Sequence, residues 1–275
     1  MPWYEFVAFV ALGLVVGTYG TMVGVGGGFL MVPVFLFMHQ PAKVAAGTSL
    51  AVVLVNSVSG TFQYLRQRRV DLVSGLIFSI AGIPGALLGA YADQFIPHRV
   101  FTLLFGVLLL VVGARILLVR EKAESLSDDS TPPRGAASAW HMRRDFDDAR
   151  GVRHSYRYSL IGGIAVSVAT GFLASLFGIG GGVVQVPAMV YLFGFPAHVA
   201  TATSQFIIAV TSFFGTASHL YYGDVLPLPA LALALGAIAG APLGAFLALR
   251  MKAAPLMRWL SLAILFAAIY LIIAR

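Results

Sequence analysis

From Tyr4 to Val119, and again from Ser159 to Ile273, the chain is a succession of apolar runs broken by glycine and proline but scarcely by charge. A hydrocarbon core about 30 Å thick needs about 20 helical residues per crossing, and most of these runs meet that length. Charged residues make up only 11% of the chain, well below the roughly 25% of water-soluble domains. The runs are continuous rather than alternating, which argues against a β-barrel. The sequence therefore predicts an all-α polytopic membrane protein with roughly eight to eleven crossings. The net charge of +7 does not point to nucleic acid, because the basic residues sit at span ends where topology explains them. The N-terminal MPWYEF lacks a Lys/Arg-rich leader region, so it reads as the first span of the mature chain.

The chain also repeats itself. Gly24-Val25-Gly26-Gly27-Gly28 returns as Gly178-Ile179-Gly180-Gly181-Gly182, and Val32-Pro33 returns as Val186-Pro187, an offset of 154. One extra residue near Phe195 shifts the offset to 155, after which Pro41 pairs with Pro196, Thr48-Ser49 with Thr203-Ser204, and Gly60-Thr61 with Gly215-Thr216. So ordered a series predicts a duplication: a first transmembrane repeat over 1–119, a charged linker over 120–156, and a second repeat over 157–275. Each repeat carries a glycine-interrupted membrane element. Duplication of this kind is typical of transporters, with the site between the halves. The linker, with Thr131-Pro132-Pro133 and nearly balanced charges, reads as a mobile cytoplasmic connector, with a regulatory site as the alternative.

Loop charges bear on orientation. If the short glycine-plus-helix element does not cross, the repeats are parallel, and basic residues at the span ends divide four against five. If it crosses, Arg66, Arg68, Arg69, Arg250, Lys252 and Arg258 join the linker's side, leaving Lys43, Arg99 and Arg275 opposite. The second arrangement obeys the positive-inside rule. It gives inverted repeats with both termini outside.

Extended backbone at membrane depth is tolerated only where it is buried in protein or lines a polar cavity. The glycine stretches, centred on Gly26, Gly27, Gly28 and on Gly180, Gly181, Gly182, are therefore candidate substrate-binding elements. They let backbone N–H groups face an anion, and the helix that follows adds its positive end. The competing reading is a tight packing turn, which is favoured for the pairs Gly13/Gly17, Gly85/Gly89 and Gly240/Gly244. Thr48, Ser49, Thr203, Ser204 and Gln205 open the following helices and are further substrate-binding candidates. Their alternative is helix-to-helix hydrogen bonding. His219, opposite Tyr64 in the other half, is a structural histidine by default and a proton-sensing modulator otherwise.

Several chemistries lack their residues. No Gly-Lys-Ser/Thr follows either glycine stretch, and the chain has no HExxH, no GxSxG and no Cys. No catalytic residue, metal site or cofactor is expected. Outside the linker the acidic residues are Glu5, Asp71, Asp93 and Asp224, all near span ends. With no carboxylate inside the bundle, the expectation is electrogenic uniport of an anion, with His219 at most tuning its rate.

The two glycine stretches with their Val-Pro pairs, together with Ala202-Thr203-Ser204, resemble the sulfite exporter TauE/SafE family over nearly the whole chain apart from the linker. The resemblance implies a multi-pass permease of the bacterial inner membrane. Its partners would be the lipid bilayer and a small sulfur-containing anion such as sulfite, sulfoacetate or a related sulfonate. An anion channel, and more remotely an intramembrane enzyme, are the alternatives in other classes.

Overall fold

The computed structural model describes residues 2–118, 141–149 and 151–250, with positions 261, 262, 264–266, 268 and 269. Among them the first half supplies α1 (Trp3–Val23), α2 (Gly28–Phe37), α3 (Ala42–Arg66), α4 (Leu72–Asp93) and α5 (His98–Leu118). A hairpin of β1 (His141–Asp147) and β2 (Arg153–Ser159) follows, then α6 (Leu160–Phe177), α7 (Gly182–Tyr191), α8 (Ala197–Tyr222) and α9 (Pro227–Arg250). The helices α1, α3, α4, α6, α8 and α9 are each long and apolar enough to cross a membrane. The protein is a mostly helical, multi-pass membrane protein.

Apolar side chains gain little from meeting one another in lipid, so helices associate where small residues let backbones touch. Gly13 and Gly17 of α1 face the backbone of Leu233 and Ala237 on α9, while Gly236, Gly240 and Gly244 face the carbonyls of Val10, Leu14 and Thr18. The same device joins α4 to α6, where Gly85 and Gly89 face the carbonyls of Val168 and Phe172. A Cβ at any of these glycines would strike main-chain atoms, as the packing reading of the three small-residue pairs requires. Between these two helix pairs, α3 and α8 pack on each other and form the centre of the bundle.

The described part of the linker is not a bare connector. β1 and β2 pair antiparallel, from His141 opposite Ser159 to Asp147 opposite Arg153. The second strand runs across the expected boundary at 156. This hairpin, absent from the all-α expectation, docks on the start of α4. Asp71 caps α4 by accepting from the Ser74 amide at 3.2 Å. Its two carboxylate oxygens accept from Arg144 Nε at 3.0 and 3.1 Å, and one accepts from the Tyr156 hydroxyl at 2.7 Å. Burial pushes the Asp71 carboxyl up, but the hydrogen bonds from Arg144, Ser74 and Tyr156 outweigh it and hold it below the usual carboxylate range. Tyr158 donates to the Ser74 hydroxyl at 2.8 Å, and the Tyr156 ring lies 4.2 Å from that of Phe195, centroid to centroid.

Candidate functional site

Each glycine stretch follows a helix that ends in the left-handed region. Gly24 closes α1 at φ 79° and Gly178 closes α6 at φ 68°. The chain then passes through Gly27 at φ 89° and Gly181 at φ 81°, conformations that L side chains resist, and enters α2 and α7 with no side-chain cap at either start. The first amides of such helices have no intrahelical acceptor, and the helix dipole makes that end positive. The two stretches lie against each other: Gly28 meets the Gly178 carbonyl, and Gly182 meets the Gly24 carbonyl. Val53 of α3 and Ile208 of α8 pack beside Gly26 and Gly180 at this crossing.

The Thr-Ser pairs divide their labour. Ser49 donates to the Gly178 carbonyl at 2.8 Å, and Ser204 donates to the Gly24 carbonyl at 2.9 Å, so each serine holds the stretch of the opposite half. Their neighbours turn away. Thr48 Oγ1 accepts from the Leu226 amide at 3.0 Å just before α9, and Thr203 Oγ1 accepts from the Asp71 amide at 3.0 Å just before α4. The structure thus brings Ser49, Ser204 and all six candidate glycines together, and places Thr48 and Thr203 at helix starts on either side.

Gln205 donates to the Gly20 carbonyl at 3.0 Å, and among the described residues its buried Oε1 has no hydrogen-bond partner. That oxygen lies beside Gly60, next to Thr21. Thr21 in turn donates to Asn56 Oδ1 at 3.1 Å, and Asn56 Nδ2 donates to the Gly26 carbonyl at 3.1 Å. On the other side, a small cavity borders Gly180 and Gly181 and is lined by Thr170, Gln185, Ile208 and Thr211. Gln185 Oε1 accepts from the Thr170 hydroxyl at 2.7 Å. The candidate list from sequence omitted Gln185, although it is the one amide in the otherwise apolar α7, at the position where α2 has Met31. A lone polar group in such a segment is a signal in its own right.

His219 is fully buried, and its Nε2 lies 2.9 Å from the Ser175 carbonyl. Tyr64 donates to the Thr21 carbonyl at 2.8 Å. These are matched positions, 155 apart for the side chains and 154 apart for the carbonyls. His219 and Tyr64 thus meet matched carbonyls of the two halves. His219 Nδ1 also lies 3.7 Å from Asp224 Oδ2.

Comparison with known proteins places the chain among membrane transporter proteins. The chain is 38% identical over 256 residues to the "Probable membrane transporter protein YunE" of Bacillus subtilis, covering 90% of each chain. It is 28% identical over 267 residues to a "Probable membrane transporter protein" of Xylella fastidiosa, covering 96% of this chain and 93% of the relative. A namesake in Methanocaldococcus jannaschii is 28% identical over 218 residues, 77% of this chain and 71% of its own. No solved structure matches the chain. Residues 9–271 match the family described as Sulfite exporter TauE/SafE, and the chain belongs to that family.

Proposed function

We propose that this chain is a secondary transporter of small anions, built from two inverted repeats and binding its substrate between the two glycine stretches. One observation carries the reading: two unwound glycine segments cross at the bundle centre, each opening a half-length helix with no side-chain cap. Paired positive helix ends suit an anion without any embedded Arg. Ser49, Ser204 and Gln205 supply nearby hydroxyl and amide groups, and the cavity beside Gly181 gives the second stretch its own polar lining. Val53 and Ile208 stand at the crossing, so their separation is the movement that opens space for substrate. Matched bonds of Ser49 and Ser204, Thr48 and Thr203, and Tyr64 and His219 favour the repeat reading.

The family supports sulfite or an organosulfonate such as sulfoacetate as the anion, and export across a bacterial inner membrane as the task. The hairpin end, with Arg66, Arg68 and Arg69, is the cytoplasmic end under the positive-inside rule. The test is thermal-shift screening against sulfite, sulfate, taurine, sulfoacetate and carboxylate analogues, followed by counterflow in proteoliposomes. Stabilisation by one sulfur anion and faster labelled uptake into vesicles preloaded with it are expected. Flux without counterflow would replace the carrier with a channel.

A further inference from the structure

At the end of the bundle away from the hairpin, three helix ends meet around two carboxylates. Asp93 closes α4 and is 1% exposed, and Asp224 follows α8 and is 2% exposed. In the sequence both stand near span ends, which says nothing of what covers them. Both are buried all the same, and Gly47 of α3 packs against the Asp224 carbonyl. Asp224 is well supplied: Gln94 donates to its Oδ2, Lys43 Nζ lies 3.9 Å from its Oδ1, and His219 Nδ1 lies 3.7 Å from its Oδ2. Asp93 is not. Among the described residues neither of its oxygens has a hydrogen-bond partner, and His219 Nδ1 has none either.

The charged groups acting on Asp93 are Asp224, which repels its ionised form, and Lys43, which favours it. The Lys43 side chain is 48% exposed and already faces Asp224, so one solvated ammonium stands against two buried carboxylates. An ionised carboxylate without hydrogen bonds beside a second carboxylate is costly, and a proton removes that cost. A divalent cation fits less well, since among the described residues no three acidic or histidine side chains are grouped to hold one. The arrangement is one-sided: the positions 155 away from Asp93 and Asp224 are Ala248 and Arg69.

We propose that Asp93, beside Asp224, is a proton-binding site and that it couples transport by this protein to the proton gradient. The proton reaches it from the water at this end and binds a carboxylate oxygen of Asp93. Its loss leaves a second buried negative charge at the junction of α3, α4 and α8. That junction connects to the glycine crossing: Asp224 leads to Leu226, whose amide is held by Thr48, and Ser49 next door holds the Gly178 carbonyl. Charge at Asp93 thereby bears on the contact between the two stretches. The coupling step rests on the carrier reading; the proton site does not.

Infrared difference titration of the purified full chain tests the site without any substrate. A protonated-carboxyl band that titrates with pH should vanish in Asp93→Asn and shift its titration in Asp224→Asn, where the neighbouring carboxylate is gone. A band unchanged in both variants overturns the proposal. So does a band that responds to sodium and not to pH. If Asp93→Asn does not fold, the shift in Asp224→Asn decides alone. Coupling is read in proteoliposomes with sulfite as the probe and a pH-sensitive dye inside. Wild type should move protons with sulfite; in Asp93→Asn the protons moved per sulfite should fall to the liposome background. Proton movement equal to wild type in Asp93→Asn overturns coupling at this residue. The titrating band without flux of any anion upholds the proton site and overturns the carrier reading instead.

Discussion

Ser49 donates a hydrogen bond from its hydroxyl to the carbonyl of Gly178, 129 positions further along the chain, across the boundary between the two halves. Ser204 does the same for Gly24, 180 positions earlier. Each bond satisfies a buried carbonyl that no helix provides for. Ser49→Ala and Ser204→Ala should each cost about 1–3 kcal/mol, the penalty for stranding a buried polar group. Melting of the purified variants measures it. Loss below about 0.3 kcal/mol for both would mean that water replaces the hydroxyls, and the crossing would be wetter than described.

The glycines at the two helix entries should respond unequally. A Cβ on Gly27 meets the side chain and carbonyl of Val16, whereas one on Gly181 lies 3.1 Å from the Ala174 methyl and 3.2 Å from the Thr170 carbonyl, beside the cavity. Gly181→Ala should therefore fold at a cost of about 1–2 kcal/mol from its backbone conformation, and weaken anion binding. Gly27→Ala should lose folded yield. Size-exclusion profiles and thermal shifts with sulfite separate the two outcomes; equal behaviour would show that the cavity has no part in recognition.

Docking of the hairpin should depend on acid in one direction only. Asp71 titrates below its unfolded value because Arg144, Ser74 and Tyr156 outweigh its burial. Stabilisation from these bonds is thus complete above the ordinary carboxylate range and disappears as pH falls through the lower folded value. Hydrogen exchange of the strands His141–Asp147 and Arg153–Ser159 should stay slow at neutral pH and quicken only in stronger acid. Arg144→Met should quicken it already at neutral pH, because it leaves the fully buried Asp71 carboxylate without its cation. Slow exchange in that variant would assign docking to the Tyr156–Phe195 contact instead.

Orientation is open to a clean chemical test, since the chain contains no cysteine. Gly151→Cys should be labelled only from the cytoplasm, and Pro2→Cys and Arg275→Cys only from outside. Labelling of both terminal positions from the cytoplasm would favour parallel repeats.

Much of this was legible in the residues. Against an expectation of roughly eight to eleven crossings, six helices among the described residues are long and apolar enough to span, and they announce themselves by length and lack of charge. The split between Thr48 and Ser49 was not legible, because neighbouring positions on a helix face directions about 100° apart and only packing tells which face meets the crossing. The hairpin was missed because its signal has period two, with Met142, Arg144 and Phe146 paired across to Tyr158, Tyr156 and His154. A search for helical periodicity passes over such a pattern. Burial of Asp93 and Asp224 was hidden as well: proximity to a span end describes depth along one helix and says nothing of what covers that end.

The interlocking of the halves has a consequence for biogenesis. The first span, α1, rests on α9, with Gly13 set against Leu233, 220 residues later. The carbonyl of Gly24 likewise waits for Ser204. During synthesis the first spans must therefore remain in the bilayer, or against an insertion partner, without their final neighbours until the last helices leave the ribosome. Each half made alone would leave these contacts unmet.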